Sequence, residues 1–193
     1  MKIIILGAGQ VGRTLAENLA NDANDVTMVD QDAGYLKDLQ DRLDIRTVKG
    51  HACLPNILAS AGAEDADMLV AVTNSDEINM VACQIAKTMF QTPTIISRIR
   101  EHQYLLKRDA LFRDEPRAFP IDVIISPEKL VTAHVQRLIE NPTALQVLDF
   151  AKGKVQLVAV TACHGGPLVG KPVSDLRSHM PNVDTLMCAT RDN

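Results

Sequence analysis

The chain of 193 residues is 46% apolar, which suits one complete globular domain with part of a second. Its formal net charge is -4, and the 20 Lys and Arg residues are scattered among 24 Asp and Glu rather than gathered into a block, which argues against nucleic acid or anionic lipid as direct partners. No stretch approaches the roughly 18 consecutive apolar residues that suggest a membrane-spanning helix, so direct membrane insertion is not expected.

The apolar run Ile3-Ile4-Ile5-Leu6 is too short for a signal peptide and reads as a buried strand over 2–6. From there to about residue 140, short apolar runs alternate with longer periodic segments, the pattern of a parallel sheet covered by helices on both faces. Strands are predicted at 2–6, 26–30, 46–48, 68–72, 94–99 and 123–125. Helices are predicted at 10–20, 33–41, 54–61, 77–90, 103–112 and 127–140. Ser75 is placed to cap the helix that follows it, and Pro127 occupies a first helical position, where its missing N–H costs nothing. Leu130, Val131, His134, Val135, Leu138 and Ile139 recur at helical spacing in the last helix; this stripe suits either packing against the sheet or a dimer face.

After Asn141-Pro142 the period changes to alternation, with strands predicted at 145–150 and 155–161, a turn at 164–167, a short helix from Ser174 and a strand at 185–189. This reads as the opening of a small α+β lobe, and the chain is expected to be part of something longer. Cys53, Cys83, Cys163 and Cys188 are far apart, with neither C-x-x-C pairs nor zinc-finger histidines, so reduced cytosolic thiols are expected rather than a metal or a disulfide framework.

Gly7-Ala8-Gly9-Gln10-Val11-Gly12 matches G-x-G-x-x-G, weak alone but strengthened by its position after a strand, at the opening of a helix, and about 20 residues before an acidic strand end at Asp30. Gly7 would permit the turn, Gly9 would leave room for a pyrophosphate, and Gly12 would let helix and sheet approach. Free amides at the helix start would meet the diphosphate. Asp30 would accept the adenosine ribose hydroxyls and repel a 2′-phosphate, favouring NAD over NADP. Thr73, Asn74 and Ser75 follow the fourth strand and Arg98 ends the fifth, where an open α/β sheet binds ligands; loop capping explains the polar loop equally well.

The segments MKIIILGAGQVG, VD at 29–30, DADMLVAVTNSDEINMVACQIA at 65–86, SRIR at 97–100, PIDVIISPEKLV at 120–131 and GGPLVGKPVSDLR at 165–177 resemble the RCK/KTN family of nucleotide-binding domains. The resemblance implies an α/β, Rossmann-like, doubly wound parallel sheet over 1–126, a crossover helix and linker at 127–143, and a partial α+β lobe over 144–193. It implies a cytoplasmic, peripheral regulator at the inner membrane. Such a regulator binds NAD⁺ or NADH, with ATP and ADP as competitors, and controls a separate Trk-type potassium-translocating membrane subunit. Carried over by position, the cofactor contacts fall on Gly7, Ala8, Gly9, Gln10, Val11, Asp30, Thr73, Asn74 and Arg98, with Gly12 completing the turn. Asp76 and Glu77 match an acidic couple that senses phosphates or a cation. Where many relatives have Gly-Asp this chain has Gly50-His51, so His51 is either a substitute adenine-side contact or an exposed loop residue.

Two rival readings keep the same fold. An NAD-dependent oxidoreductase requires a proton donor beside the nicotinamide, and neither a Tyr-x-x-x-Lys pair nor a histidine with an obvious carboxylate partner is present, so no catalytic residue is assigned. An ATP or ADP sensor would use the same glycine turn. The regulator is also expected to be at least a homodimer, through the apolar face of the 127–140 helix.

Overall fold

The computed structural model describes residues 1–20, 24–112, 118–140, 144–150 and 155–161. The expected turn at 164–167 and the elements at 174 and 185–189 lie outside the described residues. The chain divides into two compact units, Met1–Leu130 and one beginning at Val131.

In the first unit, β1 (Lys2–Leu6), β2 (Asp25–Asp30), β3 (Arg46–Lys49), β4 (Met68–Ala71), β5 (Thr94–Arg98) and β6 (Val123–Ile125) form one sheet in the order β3-β2-β1-β4-β5-β6. Every neighbouring pair is parallel. The order reverses direction at β1, the switch point at which doubly wound sheets bind ligands.

The strands read as continuous apolar runs because both faces are covered. Ile3 and Ile5 of β1 point into a core shared with Val26, Met28, Leu36 and Leu39, whereas Ile4 and Leu6 point into one shared with Leu69, Met80, Cys83 and Ile95. The first face belongs to α1 (Gln10–Ala20) and α2 (Ala33–Arg42), and the second to α3 (Pro55–Ser60) and α4 (Asp76–Phe90). Burial of the first and last of these helices follows period 3.6, so each lays one apolar stripe on the sheet.

The predicted helix at 103–112 is two short ones, α5 (His102–Leu106) and α6 (Arg108–Leu111). At Lys107 the amide donates to the Tyr104 carbonyl, a three-residue step that tightens the backbone and ends one helix before the next begins. A 3₁₀ turn at Ala63–Asp65 was not expected from the periodicity. The final helix, α7 (Pro127–Glu140), starts at its proline as anticipated, while the buried Ser126 hydroxyl has no hydrogen-bond partner.

In the second unit, β7 (Ala144–Phe150) and β8 (Val155–Val160) pair antiparallel, matching the alternating strands read in the sequence. Among the described residues no helix is long and apolar enough to cross a membrane.

Candidate functional site

The turn from β1 to α1 is built by two glycines that packing requires and one that it does not. Gly7 adopts φ +104°, and a Cβ there would lie 2.9 Å from the Thr73 Cα; a Cβ on Gly12 would lie 1.8 Å from the Gly7 carbonyl oxygen. At Gly9 a Cβ would meet nothing within 4 Å, so the protein leaves open space where the sequence motif calls for a phosphate. The first helical hydrogen bond runs from Arg13 N–H to Gly9 O at 2.9 Å. Helix geometry therefore leaves the amides of Gln10, Val11 and Gly12 without intrahelical acceptors, at the end carrying partial positive charge.

Asp30 sits beside this turn. Its Oδ2 accepts the Ala8 N–H at 2.6 Å and its Oδ1 accepts the Asp32 N–H at 2.8 Å. A carboxylate offers about four lone-pair sites, so both oxygens keep capacity for hydroxyl donors. Arg13 closes the other side: its Nε donates to Ala8 O at 2.8 Å and its guanidinium carbon lies 4.1 Å above the Tyr35 ring. Nothing in the sequence pattern pointed to that pair.

The contact of Gly7 with Thr73 joins this turn to the ends of β4 and β5. The buried Asn79 Oδ1 accepts both the amide and the hydroxyl of Thr73, at 3.0 and 2.7 Å, and its Nδ2 donates to Arg98 O at 3.0 Å. Arg98 closes the ring by donating from Nη2 to Thr73 O at 2.8 Å. Its Nε is buried without a partner, and burial followed by repulsion from Arg100 lowers its pKa against the pull of Glu128 and Asp76. Asn74 is exposed, with its carbonyl held by Arg100. The structure thus gathers Thr73, Asn74 and Arg98 at one edge, where the Thr73 hydroxyl also donates to Ser75 O at 3.2 Å and accepts the Ser75 amide at 3.3 Å. Asn79 was missed, although a polar residue inside the buried stripe of α4 is itself a signal.

Asp76 and Glu77 differ in burial. Asp76 is buried, and its Oδ2 accepts the amides of Arg100 and Glu101 at 2.8 and 2.7 Å; its Oδ1 lacks a hydrogen bond and lies 3.8 Å from Arg100 Nε. Glu77 is exposed, bonded to the hydroxyls of Ser75 and Tyr104, and the Ser75 bond leads in lowering its pKa. A depression lined by Asn74, Ser75, Asp76, Glu77, Arg100 and Glu101 lies here. Among the described residues no group of three or more His, Cys, Asp or Glu is arranged to hold a metal ion.

His51, two residues past the end of β3, accepts the Cys53 amide on Nδ1 at 3.3 Å. The His134 side chain and all of His164 and His179 lie outside the described residues.

The sequence profile of the TrkA-N domain matches residues 3–127, the whole six-stranded unit apart from its edges. The chain belongs to the TrkA-N family. Relatives include the Trk system potassium uptake protein TrkA of Halomonas elongata, 61% identical over 189 residues, covering 98% of this chain and 41% of that protein. The protein of the same name from Vibrio alginolyticus is 58% identical over 98% of this chain and 41% of its own length. This TrkA-N chain therefore spans about two fifths of the length of these relatives.

Among solved structures, the TrkA-N domain of the inner membrane protein ybaL from Escherichia coli superposes with a TM-score of 0.62 at 17% identity, covering 72% of this chain and 96% of that one. The GsuK channel bound to NAD superposes with a TM-score of 0.61 at 21% identity, covering 91% of this chain and 30% of that one. At such identities these likenesses establish the Rossmann-like fold of a TrkA-N domain.

Proposed function

We propose that this TrkA-N chain is an NAD⁺- or NADH-binding regulatory subunit of a potassium uptake system that gates a separate, Trk-type membrane subunit from the cytoplasmic face of the inner membrane. The observation that carries the nucleotide reading is the bare amide turn at Gly9–Gly12, with open space over Gly9 and a carboxylate from Asp30 beside it. The diphosphate rests on Gly7, Ala8, Gly9, Gln10, Val11 and Gly12, and the adenosine ribose on Asp30. Thr73, Asn74 and Arg98 take the second half. The potassium assignment draws on the names of the relatives, and ATP and ADP compete for the same turn. A solved GsuK structure bound to ADP, with the same fold, is in keeping with that competition.

The domain borders proposed are 1–126 for the nucleotide domain, 127–143 for crossover helix and linker, and 144–193 for a partial C-terminal lobe. The exposed side chains of Val131, Val135 and Ile139 along α7 support a homodimer through this helix. Regulation then follows as population shift: ligands that hold the turn after Gly7 and the Thr73–Glu77 loop differently favour different states of the assembly. The protein acts without catalysis of its own.

Calorimetric titration of the chain and of Asp30→Ala with NADH, NAD⁺, ATP and ADP tests this, alongside an assay of NAD⁺ reduction by 2-hydroxy acids. Binding that Asp30→Ala weakens at least tenfold, without turnover, is the expected result. Turnover would establish the oxidoreductase instead, and absence of binding would overturn the nucleotide reading.

A further inference from the structure

Both backbone polar groups of Ala8 are held by side chains. Its N–H donates to Asp30 Oδ2 at 2.6 Å, its carbonyl accepts Arg13 Nε at 2.8 Å, and the residue has no solvent exposure. The peptide that joins Ala8 to Gly9 is trans, so its C=O and N–H point to opposite sides of one rigid plane. An oxygen anchored on the guanidinium therefore turns the Gly9 N–H away from Arg13 and fixes its direction before any ligand arrives.

Arg13 is itself held in place. Its guanidinium carbon lies 4.1 Å over the Tyr35 ring, and its Nη1 lies 3.9 Å from Asp38 Oδ2. Tyr35 and Asp38 are three residues apart on α2, hence neighbours on one face of that helix. With the Arg13 side chain only 30% exposed, the stack and the bond to Ala8 are partly shielded from water. Only a planar fork can lie on the ring and reach the Ala8 carbonyl with the same group; a Lys here would keep the charge and lose that geometry.

We infer that Arg13 is a positioning residue for diphosphate binding: by holding the Ala8 carbonyl it sets the Ala8–Gly9 peptide so that the Gly9 N–H donates to a phosphate bound over the turn. The effect passes through the peptide plane rather than through contact with the ligand. A donor already fixed in its bound direction needs no ordering when the ligand arrives, and affinity rises accordingly.

This inference rests on the nucleotide reading above, and its test separates the two. ADP is titrated calorimetrically against the chain, Arg13→Lys, Tyr35→Leu and Tyr35→Phe, while nitrogen–proton correlation NMR follows the Gly9 amide to saturation and urea unfolding checks the folding of each variant. In the unmodified chain the Gly9 proton should move downfield on saturation, as an amide does when it donates to an anion. Arg13→Lys is expected to weaken ADP binding roughly tenfold and to diminish that shift. Tyr35→Leu should act in the same direction by roughly twofold to fivefold, and Tyr35→Phe, which keeps the ring, should restore what Tyr35→Leu loses. If Arg13→Lys does not fold, the comparison of the two Tyr35 variants decides. Undiminished affinity in Arg13→Lys, or a Gly9 proton that responds to saturating ADP equally in both chains or in neither, overturns the role of Arg13 and leaves the nucleotide reading standing. Failure of the unmodified chain to bind ADP overturns both.

Discussion

Asn79 and Arg98 are joined across the candidate site by a hydrogen bond from the Asn79 carboxamide to the Arg98 carbonyl at 3.0 Å, although they belong to different elements and Asn79 has no solvent exposure. The same carboxamide accepts the amide and hydroxyl of Thr73, so one buried side chain fixes the carboxyl ends of β4 and β5 relative to each other. Replacement by Leu, of similar size, takes the side-chain partner from the Thr73 amide and the Arg98 carbonyl at a partly buried position. Asn79→Leu is expected to lower stability by on the order of 3 kcal/mol, seen as a reduced urea midpoint at unchanged m-value. A loss below about 1 kcal/mol would mean that water replaces these bonds.

The glycines of the turn should separate folding from binding. Gly12→Ala drives a methyl group to 1.8 Å from the Gly7 carbonyl oxygen, which the backbone must move to relieve, so a stability loss of several kcal/mol is expected. Gly9→Ala meets nothing within 4 Å and should shift stability by no more than about 0.5 kcal/mol. Its nucleotide affinity should nonetheless fall at least tenfold, because the methyl group occupies the space over the amides. Urea unfolding together with calorimetry checks both variants, and equal losses of stability would contradict the assignment of that space.

The layered sheet and the glycine turn were legible because each leaves a periodic or spaced trace: apolar runs at 3–6 and 68–72, glycines at fixed offsets, and an acid closing the second strand. The fate of Asp76 and Glu77 was not. Adjacent residues on a helix diverge by about 100°, so one turned inward to the amides of Arg100 and Glu101 and the other outward to Tyr104. Which did so depends on a loop more than 20 residues away, and no local pattern carries that information. The break at Lys107 was hidden for a similar reason: the apolar spacing on either side continues through it, and only the backbone bond to Tyr104 reveals it. Arg13 over Tyr35 joins two elements through a side-chain stack and likewise leaves no mark in the spacing.

Cys83 ties the core to alkaline stability. Burial pushes its thiol from 9.0 up to about 12, so it stays protonated in the folded protein well after the unfolded chain has lost the proton. Stability from this group is fully present below pH 9 and falls as pH rises toward 12, because there the unfolded state binds fewer protons than the native one. Over that window the slope from one such group is about 1.4 kcal/mol per pH unit. Urea midpoints measured from neutral to alkaline pH should therefore decline less steeply in Cys83→Ala than in the unmodified chain, whatever the variant's lower starting stability. Parallel curves would place the titration elsewhere.

The exposed stripe on α7 gives the proposed dimer a direct test. Val131, Val135 and Ile139 stand one turn apart and are 63%, 47% and 72% exposed, so an acidic residue at Val131 or Ile139, the two most exposed, keeps its charge in water in the monomer. If the stripe meets its own copy, Val131→Asp combined with Ile139→Asp should weaken self-association roughly ten-thousandfold, since the two copies together lose four such side chains and burying each contributes about 1.5 kcal/mol. The urea transition of the Met1–Leu130 unit should remain in place, because neither substituted residue belongs to it. Sedimentation velocity over a range of concentrations reads the first effect and urea unfolding the second. An unmodified chain that sediments as a monomer throughout, or a double variant that still dimerises as tightly, would leave α7 without the role assigned to it.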